Sequence, residues 1–132
     1  MLVVDANVAY VASLAAEGLA MLRDPRLVAP ALMWSEARSA IHEAVWRREL
    51  DREEGSAARS ELDRLGIERI EDARLSATAW QIADELGVAK TYDAEYLAVA
   101  RLLGVRVVTL DMRLRRGADR LGLVITPNEL GA

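Results

Sequence analysis

The sequence has no cysteine, a single histidine (His42) and a single lysine (Lys90). Without cysteine there are no disulfides and no thiolate metal ligands, a composition compatible with a reducing cytoplasm. One histidine argues against a zinc site of the usual nitrogen–sulfur type, and a lone histidine on a helix is most often a surface or packing residue. Long hydrophobic runs are also missing: no segment reaches the roughly 20 apolar residues that span a bilayer. The start, MLVVDANV, has neither a basic flank nor a long apolar core, so no signal peptide and no membrane role are expected. Nor is there an excess of positive charge. The formal net charge of −4 argues against a protein that coats nucleic acid by bulk electrostatics. A local acidic pocket that holds cations remains compatible with an anionic substrate.

What is present reads as a globular domain. In 132 residues, 52% are hydrophobic and 29% charged, enough for one domain over 1–132 with its own core. The positive charge is nearly all arginine, whose planar fork suits phosphates and carboxylates. Apolar runs predict strands at 2–4, 26–29, 67–70, 105–110 and 123–126. Helical periodicity predicts helices over 6–21, 31–50, 53–65, 73–86, 92–103 and 114–121, with Gly66, Gly87, Gly104 and Gly122 at stops. Strands alternating with helices imply an α/β fold with a mainly parallel sheet covered on both faces. Such sheets carry their sites beyond the carboxyl ends of the strands. Asp5 and Asp111 each follow directly after an apolar strand and belong at that edge.

Each acid there also has a plain structural reading. Asp5 and Asp111 suit the N-caps of the helices that follow them, and Asp93 suits the positive end of its helix dipole. Glu36 is harder to explain in that way. Its helix neighbours Leu32, Met33, Ser39 and Ala40 are apolar or small, so its carboxylate lies on or beside the face to be buried. A buried carboxylate is neutralised, paired or bound to a cation; a salt bridge to an arginine is one solution for Glu36. Glu43, further along the same side, is an auxiliary candidate. Clustered carboxylates repel, and a hard divalent ion such as Mg²⁺ or Mn²⁺ relieves that repulsion through oxygen ligands. Such a pocket suits phosphoryl chemistry, with one ion or two.

The segments VVDANV, PALMWSEARSAI, TYDAEYLAVA and VVTLD, in this order, resemble the PIN-domain family, and most of all the VapC-type toxins of toxin–antitoxin pairs. The resemblance runs over nearly the whole chain. It implies a three-layer α/β/α sandwich with about five strands and a cytoplasmic, Mg²⁺- or Mn²⁺-dependent endoribonuclease. Carried over by position, Asp5, Glu36, Asp93 and Asp111 form the acidic quartet, with Asp5 and Asp93 foremost as metal ligands. Asn7 and Thr109 match polar positions that support the site. The resemblance further implies an RNA substrate, a homodimer and a cognate antitoxin whose C-terminal segment occupies the active-site groove. Leu114 departs from members that carry another acid near that position.

Arg113, Arg115, Arg116 and Arg120 are the candidates for RNA phosphate contact, set against the reading of a solvated helix face. Trp34 and Trp46 suit core packing, yet the helical hairpin over 31–65 is expected to present apolar surface to a dimer mate or antitoxin. Other functions remain to be weighed. A phosphoacceptor receiver domain would want adjacent acids after its first strand, whereas Asp5 is followed by Ala6 and Asn7, and Lys90 precedes a helix rather than ending a strand. An inactive PIN-like binding module and a PIN nuclease outside any toxin pair stay open.

Overall fold

The central strands form where short, largely apolar runs lack polar alternation. β1 (Leu2–Val4) and β2 (Leu27–Pro30) are buried at every position, and in β4 (Arg106–Val108) only the leading arginine is exposed. Successive strand side chains point to opposite faces, so burial at every position means that both faces are covered. β3 (Glu68–Ile70) and β5 (Val124–Ile125) complete the sheet in the order β3-β2-β1-β4-β5, with every pairing parallel. The computed structural model describes residues 1–131.

Six α-helices flank the sheet among the described residues: α1 (Ala6–Leu14), α2 (Leu32–Trp46), α3 (Arg52–Arg64), α4 (Leu75–Leu86), α5 (Tyr92–Leu103) and α6 (Met112–Gly117). α1, α2 and α3 pack on one another, while α4 packs on α5 and α5 lies across β1, β2 and β4. The expected three-layer α/β/α architecture is therefore present. Ala94, Ala98 and Ala100 are buried on α5, and their small side chains let its backbone approach the sheet. Val3, Val28, Val107 and Val108 meet Met33, Ile82 and Leu97 in the core. No helix among the described residues is long and apolar enough to cross a membrane.

Several element ends differ from the sequence expectation. α1 stops at Leu14 rather than 21: the Ser13 hydroxyl donates to the Tyr10 carbonyl at 2.6 Å, Ala15 turns extended, and a 3₁₀ turn at Ala20–Leu22 returns the chain to β2. α2 stops at Trp46 because Arg48 takes a left-handed φ of 62°, and the N–H groups of Glu49 and Leu50 turn back to the Ala44 carbonyl. β4 ends at Val108: the Thr109 N–H still donates to the Ile125 carbonyl, but the N–H groups of Leu110 and Asp111 are taken by side chains, as described below. The helix expected at 114–121 begins earlier, at Met112, and breaks after Gly117 into a 3₁₀ turn at Asp119–Leu121.

The two tryptophans of the hairpin separate. Trp34 is buried and carries Arg69 over its ring at 5.1 Å, whereas Trp46 is 81% exposed. Gly55 lets α3 approach α2 closely, because a Cβ there would collide with Val45 Cγ2. Asp51 and Glu54 close a capping box at the start of α3, so the charged stretch between the helices does mark a turn.

Candidate active site

The sheet runs outward from β1 in both directions, toward β2 on one side and β4 on the other. The crevice between the carboxyl ends of β1 and β4 is thus a topological switch point, where open α/β sheets hold their ligands. Asp5 follows β1 and is buried. Its Oδ1 accepts from the Ala6 N–H at 2.8 Å, and its Oδ2 accepts from Thr109 Oγ1 at 2.6 Å and from Asn7 Nδ2 at 3.2 Å.

Asn7 and Thr109 tie the two strand ends together. Thr109 Oγ1 also accepts from the Asp111 N–H at 3.0 Å, and Asn7 Oδ1 accepts from the Leu110 N–H at 3.1 Å. These two side chains take the backbone donors that would otherwise extend β4, which ends the strand and points Asp111 at the crevice. Asp111 then caps α6, accepting from the N–H groups of Arg113 and Leu114. For Asp111, then, capping a helix and lining the cleft are not alternatives, whereas Asp5 caps α1 and faces Thr109.

Glu36, Asp93 and Asp111 line one cleft of about 420 Å³, together with Lys90, Tyr92 and Arg113. Asp5 does not line it, but the charges of the cleft acids reach Asp5. Burial pushes the Asp5 carboxyl up to about 6; the Thr109 and Ala6 hydrogen bonds oppose this, and the Asp93 and Glu36 charges add to it. Asp93 is likewise raised, by burial first and then by Asp111, with Arg113 opposing. Glu95, beside Asp93 in the first turn of α5, is raised by burial and by Glu36.

The four acids do not form a closed cage. Among the described residues no three carboxylates stand together as a ready-made ligand cluster. The physical reason is that Asp5 is turned to Thr109, Asn7 and Ala6, while Asp111 is turned to its own helix. Nor are the acids neutralised by tight ion pairs: the nearest guanidinium is that of Arg113, with Nε 3.9 Å from Asp111 Oδ1. The donor set is oxygen only, open to the cleft and short of counter-charge. It fits a hard divalent ion that keeps several of its waters, and not a fully dehydrated one.

Tyr96 belongs beside this cleft, although its place in an apolar helix pattern gives it no evident role there. Its ring is fully buried, and its hydroxyl donates to Glu36 Oε1 at 2.6 Å. A signal was available, since Tyr96 lies three residues after Asp93 on one helix face and a buried tyrosine hydroxyl needs a partner. Among the arginines, Arg113 is exposed at the cleft and Arg116 is exposed beyond it. Arg115 is committed to Glu129 at 3.0 Å and to Asp119 at 2.5 Å, and Arg120 donates to the Glu85 carbonyl. His42 lies away from this cleft, between α2 and α3.

A family model described as the PIN domain matches residues 2–120. The chain belongs to the PIN-domain family. This PIN domain is 34% identical over 116 residues, 86% of its length and 88% of theirs, to VapC ribonuclease Mb0985 of Mycobacterium bovis and to Ribonuclease VapC9 of Mycobacterium tuberculosis. Its fold is similar to that of PAE2754 from Pyrobaculum aerophilum, with a TM-score of 0.73 and 26% identity over 98% of this chain and 90% of that one. A toxin–antitoxin complex from Klebsiella pneumoniae contains a chain of the same fold, with a TM-score of 0.69, 18% identity, and coverage of 96% and 98%.

Proposed function

We propose that this PIN domain is a Mg²⁺- or Mn²⁺-dependent endoribonuclease, the toxin of a VapBC-type pair. The observation that carries the reading is the cleft at the β1–β4 switch point, where Glu36, Asp93 and Asp111 face one space without closed ion pairs. The 34% identity to proteins named VapC ribonucleases supports RNA as substrate.

Asp93, Glu36 and Asp111, with Asp5 behind them, would hold the ion. When bound, it supplies an activated water and offsets charge on the scissile phosphate. The remaining work falls to the chain itself. Thr109 and Asn7 fix the Asp5 carboxylate between two strand ends, and the Tyr96 hydroxyl holds Glu36 toward the cleft. Arg113 and Lys90 offer cationic contacts for the phosphates flanking the cut. Arg116 extends that path, whereas Arg115 serves to anchor α6 to the Pro127–Gly131 turn.

The partners follow from the same reading: RNA, a cognate antitoxin and a second copy of this chain. The exposed Trp46 at the end of α2 is an anchor for dimer or antitoxin contact. Purified protein is expected to cut RNA with Mg²⁺ or Mn²⁺, to stop on chelation, and to lose activity in a folded Asp93→Asn variant. Cleavage that survives chelation would refute the metal mechanism. A folded protein inert on every RNA offered, with metal present, would leave a binding module.

A further inference from the structure

Some arginines of this acidic chain are held in ion pairs, and several others are not. Arg26, Arg64, Arg74, Arg101 and Arg115 each hold a carboxylate within 3.0 Å. Arg38, Arg52 and Arg59 make no ion pair among the described residues, and all three line one pocket of about 580 Å³ between α2 and α3. His42 stands beside them, and no carboxylate lines this pocket. In a chain with a net charge of −4, three guanidiniums without a direct ion-pair partner around one concavity concentrate positive charge there.

The pocket has an apolar floor beneath that charged rim. Ile41 and Val45 form it from α2, and Gly55 brings α3 against Val45 so closely that a side chain there would not fit. A volume of this size is typical of small-molecule sites, which pair an apolar surface with a few placed polar groups. Guanidinium forks match phosphate oxygens in pairs, and their flat faces stack on aromatic bases. A ligand with a phosphate and a flat, weakly polar ring uses both parts of the site. An acidic peptide would use only the rim.

We infer that the α2–α3 pocket, separate from the carboxylate cleft, binds the phosphate of a nucleotide, either free or within an RNA strand. Arg38, Arg52 and Arg59 hold the phosphate, and the base rests over Ile41 and Val45. All three arginines are exposed on helix surfaces, so their replacement leaves the core intact. This site does not depend on the nuclease reading.

The test is calorimetric titration in chelator, on an Asp93→Asn background, so that cleavage plays no part in the readout. The probes are adenosine 5′-monophosphate, a 2′-O-methyl oligonucleotide and a poly-glutamate peptide. Saturable binding of the nucleotide or the oligonucleotide is expected, weakened about tenfold or more by Arg52→Glu and by Arg59→Glu. The same binding is expected to persist in Arg113→Glu, which alters the carboxylate cleft instead. Tighter binding of the oligonucleotide than of the monophosphate identifies a strand as the ligand, and equal binding identifies a free nucleotide. The inference is overturned if neither phosphate probe binds, or if binding is indifferent to Arg52 and Arg59. It is equally overturned if poly-glutamate binds more tightly than both with the same arginine dependence, which would make the pocket a protein-docking site.

Discussion

The Tyr96 hydroxyl, on a fully buried ring, donates to Glu36 Oε1 at 2.6 Å and so holds a cleft carboxylate from beneath. The bond joins α5 to α2, the two helices that bring Asp93 and Glu36 to the same cleft. Tyr96→Phe keeps the packing and removes the donor. RNA cleavage is expected to fall by about 10- to 100-fold, the range for groups that orient a metal ligand. The melting temperature should change little, because half-buried Glu36 regains a water. Unchanged cleavage kinetics in this variant would show that Glu36 needs no such support.

Thr109 is wholly buried and serves Asp5, Asp111 and Asn7 at once. Thr109→Val keeps the shape but leaves the Asp111 N–H without its acceptor and Asp5 without its shortest hydrogen bond. Denaturant unfolding should register a loss of about 1–3 kcal/mol, whereas Thr109→Ser restores most of it. Equal stabilities for the serine and valine variants would contradict the hydroxyl's role.

Asp5 gives the metal-free protein a definite pH dependence. Its carboxyl is raised to about 6 in the fold, against 3.8 when unperturbed, so between those values the native state binds the extra proton. Stability from this group is therefore complete below about 4 and is lost as pH rises through 6, a penalty of about 3 kcal/mol at neutral pH. Urea titrations in chelator should show Asp5→Asn gaining on the parent protein as pH goes from 4 to 7. A difference that is flat with pH would mean that Asp5 is ionised without penalty.

Divalent ions bound at the proposed site would act on the same balance from the other side. Mg²⁺ or Mn²⁺ at about 100 times its dissociation constant should stabilise the fold by about 2.7 kcal/mol, an effect abolished in Asp93→Asn and reversed by chelator. Equal stabilisation of parent and variant, followed by thermal melts, would place the ion elsewhere.

Gly55 offers a test of the α2–α3 contact. A methyl group at this position meets Val45 Cγ2, so Gly55→Ala should destabilise by about 1–3 kcal/mol despite the better helix propensity of alanine. Adding Val45→Ala should recover part of that loss. Additive effects in the double variant would indicate that the two side chains do not meet.

Much of the fold was legible in short patterns. The apolar run at β1, and the one at β4 broken only by Arg106, announce strands covered on both faces, and Asp5 and Asp111 stand directly after or near the strand ends as expected. The helix ends were less legible, because Ser13 and Arg48 act through local hydrogen bonding and a left-handed turn rather than through hydrophobic period. Among the candidate phosphate-binding arginines, Arg113 and Arg116 are exposed, whereas Arg115 is engaged by Glu129, fourteen residues away in sequence, a pairing that no local pattern encodes.

Residue order alone determined the parallel α/β layering and the PIN-family resemblance, and it nominated four acids for the site, since those depend on periodicity and on residues at strand ends. Only the tertiary structure decided that Asp5 is buried behind the cleft and that Tyr96 holds Glu36. It also decided that three unpaired arginines gather between α2 and α3. Each of these depends on distances between segments far apart in the chain, and the packing of helices on the sheet sets such distances.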